Sequence, residues 1–404
     1  MIKTYKNLDQ LVTLASAHQK DGRKLLASDL SIIENGAICF NEKEIIWVGS
    51  TANLPSEFLS TAIDLKGHTL TPEIVDSHTH IVFAGDRAQE YADRLNGVSY
   101  EAIAKRGGGI LLTMKQTNEA SEEELFNLAS ERIERLYTYG IGTIEIKSGY
   151  GLNYEIELKI SEIINKLKIK YEPKIKIFNT YLAAHDIPRN FKNSASYLSE
   201  VVIPLLDELA AKKIIDAVDI FHEVNYFSKE DVEKLFEHAR NLGIPRKIHA
   251  DELNENDGAR LAVRYEAISA DHLLQISELG IEALKNSKAV ATLLPGTAFF
   301  LGKPLAPARK MLDAGVKVAI ASDYNPGSCH CDNLLLIASI AAAQLKINQA
   351  ELWAGITLNA AAALGLHKQG ALIQGLSPRF SLFKTESLSH ITYNWGRNFT
   401  VSLP

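Results

Sequence analysis

Thr71-Pro72-Glu73-Ile74-Val75-Asp76-Ser77-His78-Thr79-His80 closes an apolar run with two histidines one residue apart. Side chains alternate between faces in an extended chain, so His78 and His80 point the same way and suit one metal ion. Two solvated histidines on an edge strand would read the same, so the weight of the pair rests on the chain downstream of it.

That downstream chain repeats one pattern. Residues 69–75 read as a first strand, and further short apolar runs stop abruptly at polar or ionisable residues. Residues 141–146 end at Lys147, 175–184 at His185, 217–221 at His222, 246–248 at His249, 267–270 at Asp271-His272, 289–294 at Pro295 and 316–321 at Ser322-Asp323. Between several of them, apolar residues recur at helical spacing over 122–139, 154–168, 229–241 and 277–286. Eight strands alternating with helices predict an α/β fold of the (β/α)8 TIM-like barrel kind, in which catalytic groups gather at the C-terminal ends of the strands.

The barrel is assigned to residues 66–365. Residues 1–65 and 366–404 are assigned to a small β-sandwich domain built from both termini. Alternating runs at 37–40 and 44–48 come after turn signals at Glu34-Asn35-Gly36 and Asn41-Glu42, and 370–383 again reads as strand.

Composition narrows the function. The chain has 404 residues, 23% charged and 46% hydrophobic, with a net charge of -6. This balance leaves no basic footprint for nucleic acid or an anionic membrane and favours a small-molecule partner. No signal-peptide pattern opens the chain, and the longest apolar stretch, 334–345, falls short of the ~20 residues a membrane helix needs. Three cysteines, Cys39, Cys329 and Cys331, are too few for a disulfide framework. A cytoplasmic protein is expected.

Taken together, the strand-end residues His78, His80, His249, His272 and Asp323 should converge on the barrel axis. Imidazoles plus one carboxylate form a nitrogen and oxygen set suited to Zn²⁺ or Fe²⁺ rather than Ca²⁺ or Mg²⁺. With a position left open for water, such an ion lowers the pKa of that water from ~16 toward ~7, which points to hydrolysis. Packing alone explains the set poorly, because an unpaired buried polar group costs ~1–3 kcal/mol.

Asp76-Ser77-His78-Thr79-His80, with His249, His272 and Asp323, resembles the amidohydrolase superfamily of metal hydrolases. Within it, the stretch from His78 through Phe83-Ala84-Gly85-Asp86-Arg87 resembles the imidazolonepropionase family, which opens an imidazolone ring in histidine degradation. Arg106-Gly107-Gly108-Gly109-Ile110, Lys147-Ser148-Gly149-Tyr150-Gly151, Ala183-Ala184-His185, His249-Ala250-Asp251-Glu252 and Ser322-Asp323-Tyr324-Asn325-Pro326-Gly327-Ser328 agree in order. The resemblance implies one Zn²⁺ or Fe²⁺/Fe³⁺ per subunit held by His78, His80, His249 and Asp323. It assigns Arg87, Tyr150 and His185 to substrate, and Glu252, His272, Asn325, Gly327 and Ser328 to the substrate or product side. Proton transfer falls to Glu252 or His272, with Asp323 sharing it, and a homodimer is the implied assembly. Other cyclic amidohydrolases and heterocycle deaminases of the superfamily are the nearest rivals, and a non-catalytic scaffold is a remote one.

Some positions depart from that pattern. Glu73 stands where glycine is usual after Pro72, and Ser377-Pro378-Arg379-Phe380 replaces the small residue and aspartate that often begin the last strand. His222 is an unexpected histidine at the fourth strand end, and no lysine stands there to bridge two metals. Cys329-His330-Cys331 is read as a loop or helix entry, and Gly107-Gly108-Gly109 as a hinge or lid, since it lacks the Lys-Ser/Thr of a P-loop.

Overall fold

Ile141–Lys147 shows how the barrel is built. Its period of two sends Ile144 and Ile146 outward into an apolar cluster with Leu125, Ile133, Ile160 and Ile164 of the covering helices. The alternate residues Glu145 and Lys147 turn inward, where both are fully buried. Ala217–His222 repeats the arrangement, with Val218 and Ile220 packed outward and Asp219 buried inside.

The computed structural model describes residues 1–98, 102–103 and 106–404. Eight parallel strands, each paired with the next in chain order, run Ile74–Asp76, Ile141–Lys147, Lys176–Ala184, Ala217–His222, Lys247–Ala250, Ser269–His272, Val290–Leu293 and Val318–Ile320. The fold is the (β/α)8 barrel. Register aligns the strand ends, His249 with Asp271 and Phe221, and Ala250 with His272. Capped helices cover the outside: Ser121 accepts from the Glu124 N–H ahead of Glu122–Thr138, Asn153 heads Tyr154–Tyr171, and Ser228 with Asp231 forms a capping box on Lys229–Asn241.

The first and last strands meet at the histidine pair. The Asp323 N–H donates to the His78 carbonyl at 3.0 Å, and the His80 N–H to the Tyr324 carbonyl at 2.9 Å. On the other side the Lys147 N–H donates to the Thr79 carbonyl at 2.9 Å. The segment 78–80 therefore lies past its strand but is pinned from both flanks.

A seven-stranded mixed sheet drawn from both ends of the chain stands beside the barrel, with Lys3–Val12 between Thr69–Pro72 and Ile32–Phe40, and Phe380–Phe383 beyond Thr69–Pro72. Three expectations are corrected here. Residues 69–75 are not one barrel strand: Thr69–Pro72 belongs to the mixed sheet and only Ile74–Asp76 to the barrel, with Glu73 at the switch. Residues 34–36 are not a turn, because Glu34 pairs with Gln10 and Gly36 with Leu8 inside the continuous strand Ile32–Phe40, although Asn35 between them takes φ 49°. The strand expected over 370–383 shrinks to Phe380–Phe383.

The two departures at Glu73 and Arg379 are partners. Glu73 is buried and accepts from Arg379 Nε at 2.7 Å and from Thr143 Oγ1 at 2.6 Å, at the junction of sheet and barrel. Among the described residues no helix is long and apolar enough to cross a membrane.

Candidate metal centre and substrate pocket

His78 Nε2 and His80 Nε2 lie 3.2 Å apart, and each is 3.6 Å from Asp323 Oδ1. A tetrahedron of ~2.0–2.1 Å bonds has edges of about 3.3 Å, so these spacings suit one ion. His249 joins them, with donor atoms of His78, His80 and His249 all within 4.8 Å of one another. Both ring nitrogens of His249 are buried without a hydrogen-bond partner, as is His80 Nδ1. A buried imidazole nitrogen without a partner is costly unless something binds it, and at least one His249 nitrogen lies within reach of the His78 and His80 donors. The donor set fits a metal.

Beneath the cluster lies a charged network that the sequence by itself does not assemble. Lys147 Nζ is 2.7 Å from Asp219 and 3.0 Å from Glu145, while Lys247 Nζ is 3.1 Å from Glu145 and 3.8 Å from Asp271. His78 Nδ1–H donates to Asp271 Oδ2 at 2.7 Å, which leaves Nε2 as the lone-pair nitrogen facing the centre. Asp219 Oδ2 lies 3.1 Å from His249 Nδ1, without the alignment of a hydrogen bond. Burial alone would lower the Lys147 ammonium, but Asp219, Glu145 and Asp271 together hold it above its ordinary range. Burial, then the Lys147 charge, keeps His78 far below the usual histidine value and therefore neutral. Glu145, Asp219 and Lys247 sit inside runs that read as apolar, while Lys147 and Asp271 end theirs, and an inward-facing charge at period two is the signal the sequence offers. The second possible donor group, His78 with Glu145 and Asp271, is already neutralised by these two lysines.

Acid and base groups flank the donors. Burial, followed by the charges of Asp323 and Glu223, pushes Glu252 up to about 8. Asp323 rises to about 7 through burial, although Thr297 and Asn325 donate to it; Thr297 Oγ1 donates to its Oδ2 at 2.5 Å and leaves Oδ1 toward the histidines. His272 is held down to about 4, mainly by burial, and its Nε2 lies 3.6 Å from Glu252 Oε2. Glu223 fixes the Glu252 loop by accepting from the Leu253 and Asn254 N–H groups.

The expected substrate residues surround the same centre. The Tyr150 and His185 rings lie 5.8 and 5.3 Å from the His80 ring. Their loop is stapled by Glu157, which accepts from the N–H groups of Gly149, Gly151 and Leu152. His185 Nδ1 donates to the Gly149 carbonyl at 3.0 Å; a Cβ at Gly149, whose φ is 109°, would meet the Leu182 carbonyl at 2.7 Å. Arg87 packs so tightly on Gly327 that a Cβ there would lie 2.1 Å from Nη1. Asn325 spends its side-chain oxygen on the N–H groups of Gly327 and Ser328, at 2.8 Å each, and its amide on the Asp323 carbonyl at 2.7 Å. Asn325 is thus first a builder of this loop.

The decoys also find places. His222 is tied to the Phe227 and Asn256 carbonyls at 2.8 and 3.1 Å. Among the described residues Cys329, His330 and Cys331 form no ligand group; His330 packs its ring edge-on to Tyr324, and Asn333 caps the next helix, Leu334–Leu345. Cavities of about 730 Å³ at the sheet–barrel junction and 600 Å³ beside Pro295–Leu301 are lined by none of the metal-ligand candidates.

A (β/α)8 barrel with such a donor set and such flanking acids is a metal-dependent hydrolase. Residues 69–403 match the amidohydrolase family. The imidazolonepropionase of Idiomarina loihiensis is 41% identical over 369 residues, covering 91% of this chain and 90% of that protein. That of Flavobacterium johnsoniae is 38% identical over 403 residues, covering 98% and 97%. Among solved structures, a triazine hydrolase variant superposes with a TM-score of 0.73 at 15% identity, covering 99% of this chain and 92% of that one. An adenosine deaminase from Xanthomonas campestris with bound zinc gives 0.71 at 16%, covering 98% and 90%; at these identities the likeness is one of fold. The chain belongs to the amidohydrolase family and, within it, to the imidazolonepropionases. Its substrate is a small molecule with a cyclic amide.

Proposed function

We propose that this chain hydrolyses 4-imidazolone-5-propionate to N-formimidoyl-L-glutamate, the ring-opening step of histidine degradation. The reading is carried by one juxtaposition: a cation and a phenol, Arg87 and Tyr150, beside the histidine and aspartate cluster, in a chain alike to imidazolonepropionases over 91% of its length. His78, His80, His249 and Asp323 would hold one zinc or iron ion per subunit, which when bound polarises the ring carbonyl and makes water acidic enough to attack.

The protein groups do the rest. Arg87 offers its guanidinium fork to the propionate carboxylate, and Tyr150 donates a further hydrogen bond. Burial first, then the Asp323 charge, raises the Tyr150 phenol above its ordinary range, so it stays a donor throughout the neutral region. His185, with Nδ1 spent on Gly149, presents Nε2 as an acceptor for a ring N–H. Glu252, at about 8, carries its proton at neutral pH and is the proposed donor to the leaving ring nitrogen. Asp323, ionised when the cation is bound, takes the proton from water; His272, at about 4, is neutral, with its Nε2 3.6 Å from Glu252 Oε2.

The test is to mix metal-loaded protein with freshly made 4-imidazolone-5-propionate, monitor loss of its ultraviolet absorbance, and identify the product, with Asp323→Asn as control. Formimidoyl-glutamate from the parent alone is expected. No reaction by protein of measured metal content would overturn the reading and turn attention to other cyclic amides and aminated heterocycles. Metal analysis of protein purified without added metal separates zinc from iron. The same reading takes the assembly to be a cytoplasmic homodimer that engages neither nucleic acid nor membrane, and light scattering checks the dimer.

A further inference from the structure

Glu90 stands outside every role assigned above, yet it touches the residue on which substrate recognition turns. Its Oε2 accepts from Arg87 Nε at 2.8 Å, and its Oε1 accepts from the Gly109 N–H, also at 2.8 Å. Both side chains are largely sheltered, 11% exposed for Arg87 and 13% for Glu90. Gly109, at φ 73°, is the N-cap of the helix Ile110–Glu119, so the second bond anchors the glycine turn that precedes that helix. A Cβ at Gly108 would lie 2.7 Å from Glu90 Oε1, so the turn is closed tightly over this carboxylate.

An arginine side chain has four rotatable bonds, and its usefulness as a fork depends on which edge it shows. Here one edge is taken, because Nε is paired with Glu90, and the guanidinium lies against Gly327, where a Cβ would come within 2.1 Å of Nη1 and 2.8 Å of Cζ. Among the described residues Glu90 is the one carboxylate paired with Arg87. What is left of the donor set is the Nη1 and Nη2 pair, the edge a carboxylate engages with two parallel hydrogen bonds.

We propose that Glu90 is the positioning residue for recognition of the substrate's acid tail. By fixing Arg87 and the Gly107–Gly109 turn through its two oxygens, it holds the guanidinium edge-on to the pocket before substrate arrives. The inference rests on the assignment of Arg87 to the propionate. It adds that specificity for the acid depends on a residue that never meets it, since a fork ordered in advance loses less freedom on binding than a free one.

Glu90→Gln tests this, because one amide oxygen cannot accept from both Arg87 and Gly109 as the two carboxylate oxygens do. Steady-state kinetics are measured for the parent, Glu90→Gln and Arg87→Met on two substrates: 4-imidazolone-5-propionate and the analogue with an ethyl group in place of the propionate. A charge-assisted hydrogen bond of ~1.5–3 kcal/mol sets the scale, so KM for the acid should rise about tenfold or more in Glu90→Gln while kcat stays within about twofold. The ethyl analogue should be processed equally by parent and variant. Glu90→Asp, which keeps the charge but is too short to span both partners, should fall between them, and a melting curve for each variant confirms folding. Equal losses on both substrates would mark Glu90 as merely structural and overturn the proposal. So would an unchanged KM for the acid in Glu90→Gln alongside a raised one in Arg87→Met, which would leave the functional reading intact. If Arg87→Met leaves KM for the acid unchanged, the tail assignment itself falls and the role of Glu90 falls with it.

Discussion

At the scale of single residues, the site depends on atoms that are missing as much as on those present. Gly327 has no side chain where Arg87 lies, so Gly327→Ala would drive a methyl group into the guanidinium at 2.1 Å from Nη1. The expected outcome is a KM for the acid substrate raised about tenfold with little change in kcat, since ground-state and transition-state binding of the tail are lost together. An unchanged KM would show that Arg87 does not hold the tail from this position. Lys147 presents the opposite case, a buried charge whose loss strands others. Lys147→Met would leave Asp219 without the ammonium 2.7 Å away and Glu145 with Lys247 alone. Breaking a buried ion pair from one side costs about 3–5 kcal/mol, a loss that urea denaturation of the variant would read directly. A cost below about 1 kcal/mol would mean that the network rearranges around the gap.

At the scale of elements, legibility in the sequence depends on whether the signal is local. The histidine pair and Asp323 end apolar runs, so their placement is visible without knowing any partner. Asp219 sits inside a strand and Asp271 ends a run, but the meaning of both depends on Lys147, Lys247 and the histidines, which only the closed barrel brings near. The strand Lys3–Val12 is hidden from a periodicity reading because its register shifts between Tyr5 and Leu8, where Asn7 takes φ 56°, so no clean alternation survives. Glu73 and Arg379 each look like an isolated departure from a family pattern, although together they join the mixed sheet to the barrel at 2.7 Å. Gly142 makes room for the pair, since a Cβ there would lie 2.1 Å from Glu73 Oε2. Arg379→Met should therefore cost about 2 kcal/mol, a figure reduced from the fully buried case because Arg379 is 21% exposed. Adding Glu73→Gln should restore part of that loss by removing the stranded charge. Unfolding midpoints of the two single variants and the double variant close the cycle, and purely additive effects would rule out the coupling.

At the scale of the whole molecule, the buried acids and imidazoles make stability depend on pH in two opposed limbs. The histidines His78, His80, His185 and His249 lie below their ordinary value through burial, and His272 falls to about 4. Between about 4 and 6.5 the unfolded chain therefore binds more protons at these positions than the folded one, and their contribution makes stability rise with pH. The carboxylates run the other way. Glu252 moves from 4.5 to about 8 and Asp323 from 3.8 to about 7, both chiefly by burial, so the folded protein retains protons that the unfolded chain has released. Their contribution falls as pH rises, and above 6.5 the histidine limb no longer offsets it. Chelator-treated protein should accordingly be most stable near pH 6.5 and lose about 2 kcal/mol by pH 8, on the scale of ~1.4 kcal/mol per unit for one proton. Reconstitution with zinc or iron should flatten the upper limb, because a cation at the cluster favours ionised Asp323 without any proton to release. Urea midpoints of chelated and reconstituted protein at pH 6.5 and 8 decide the matter. Chelated protein that is as stable at pH 8 as at 6.5 would mean that Glu252 and Asp323 are already ionised without the ion, and the assignment of Glu252 as the proton donor would fall with that result.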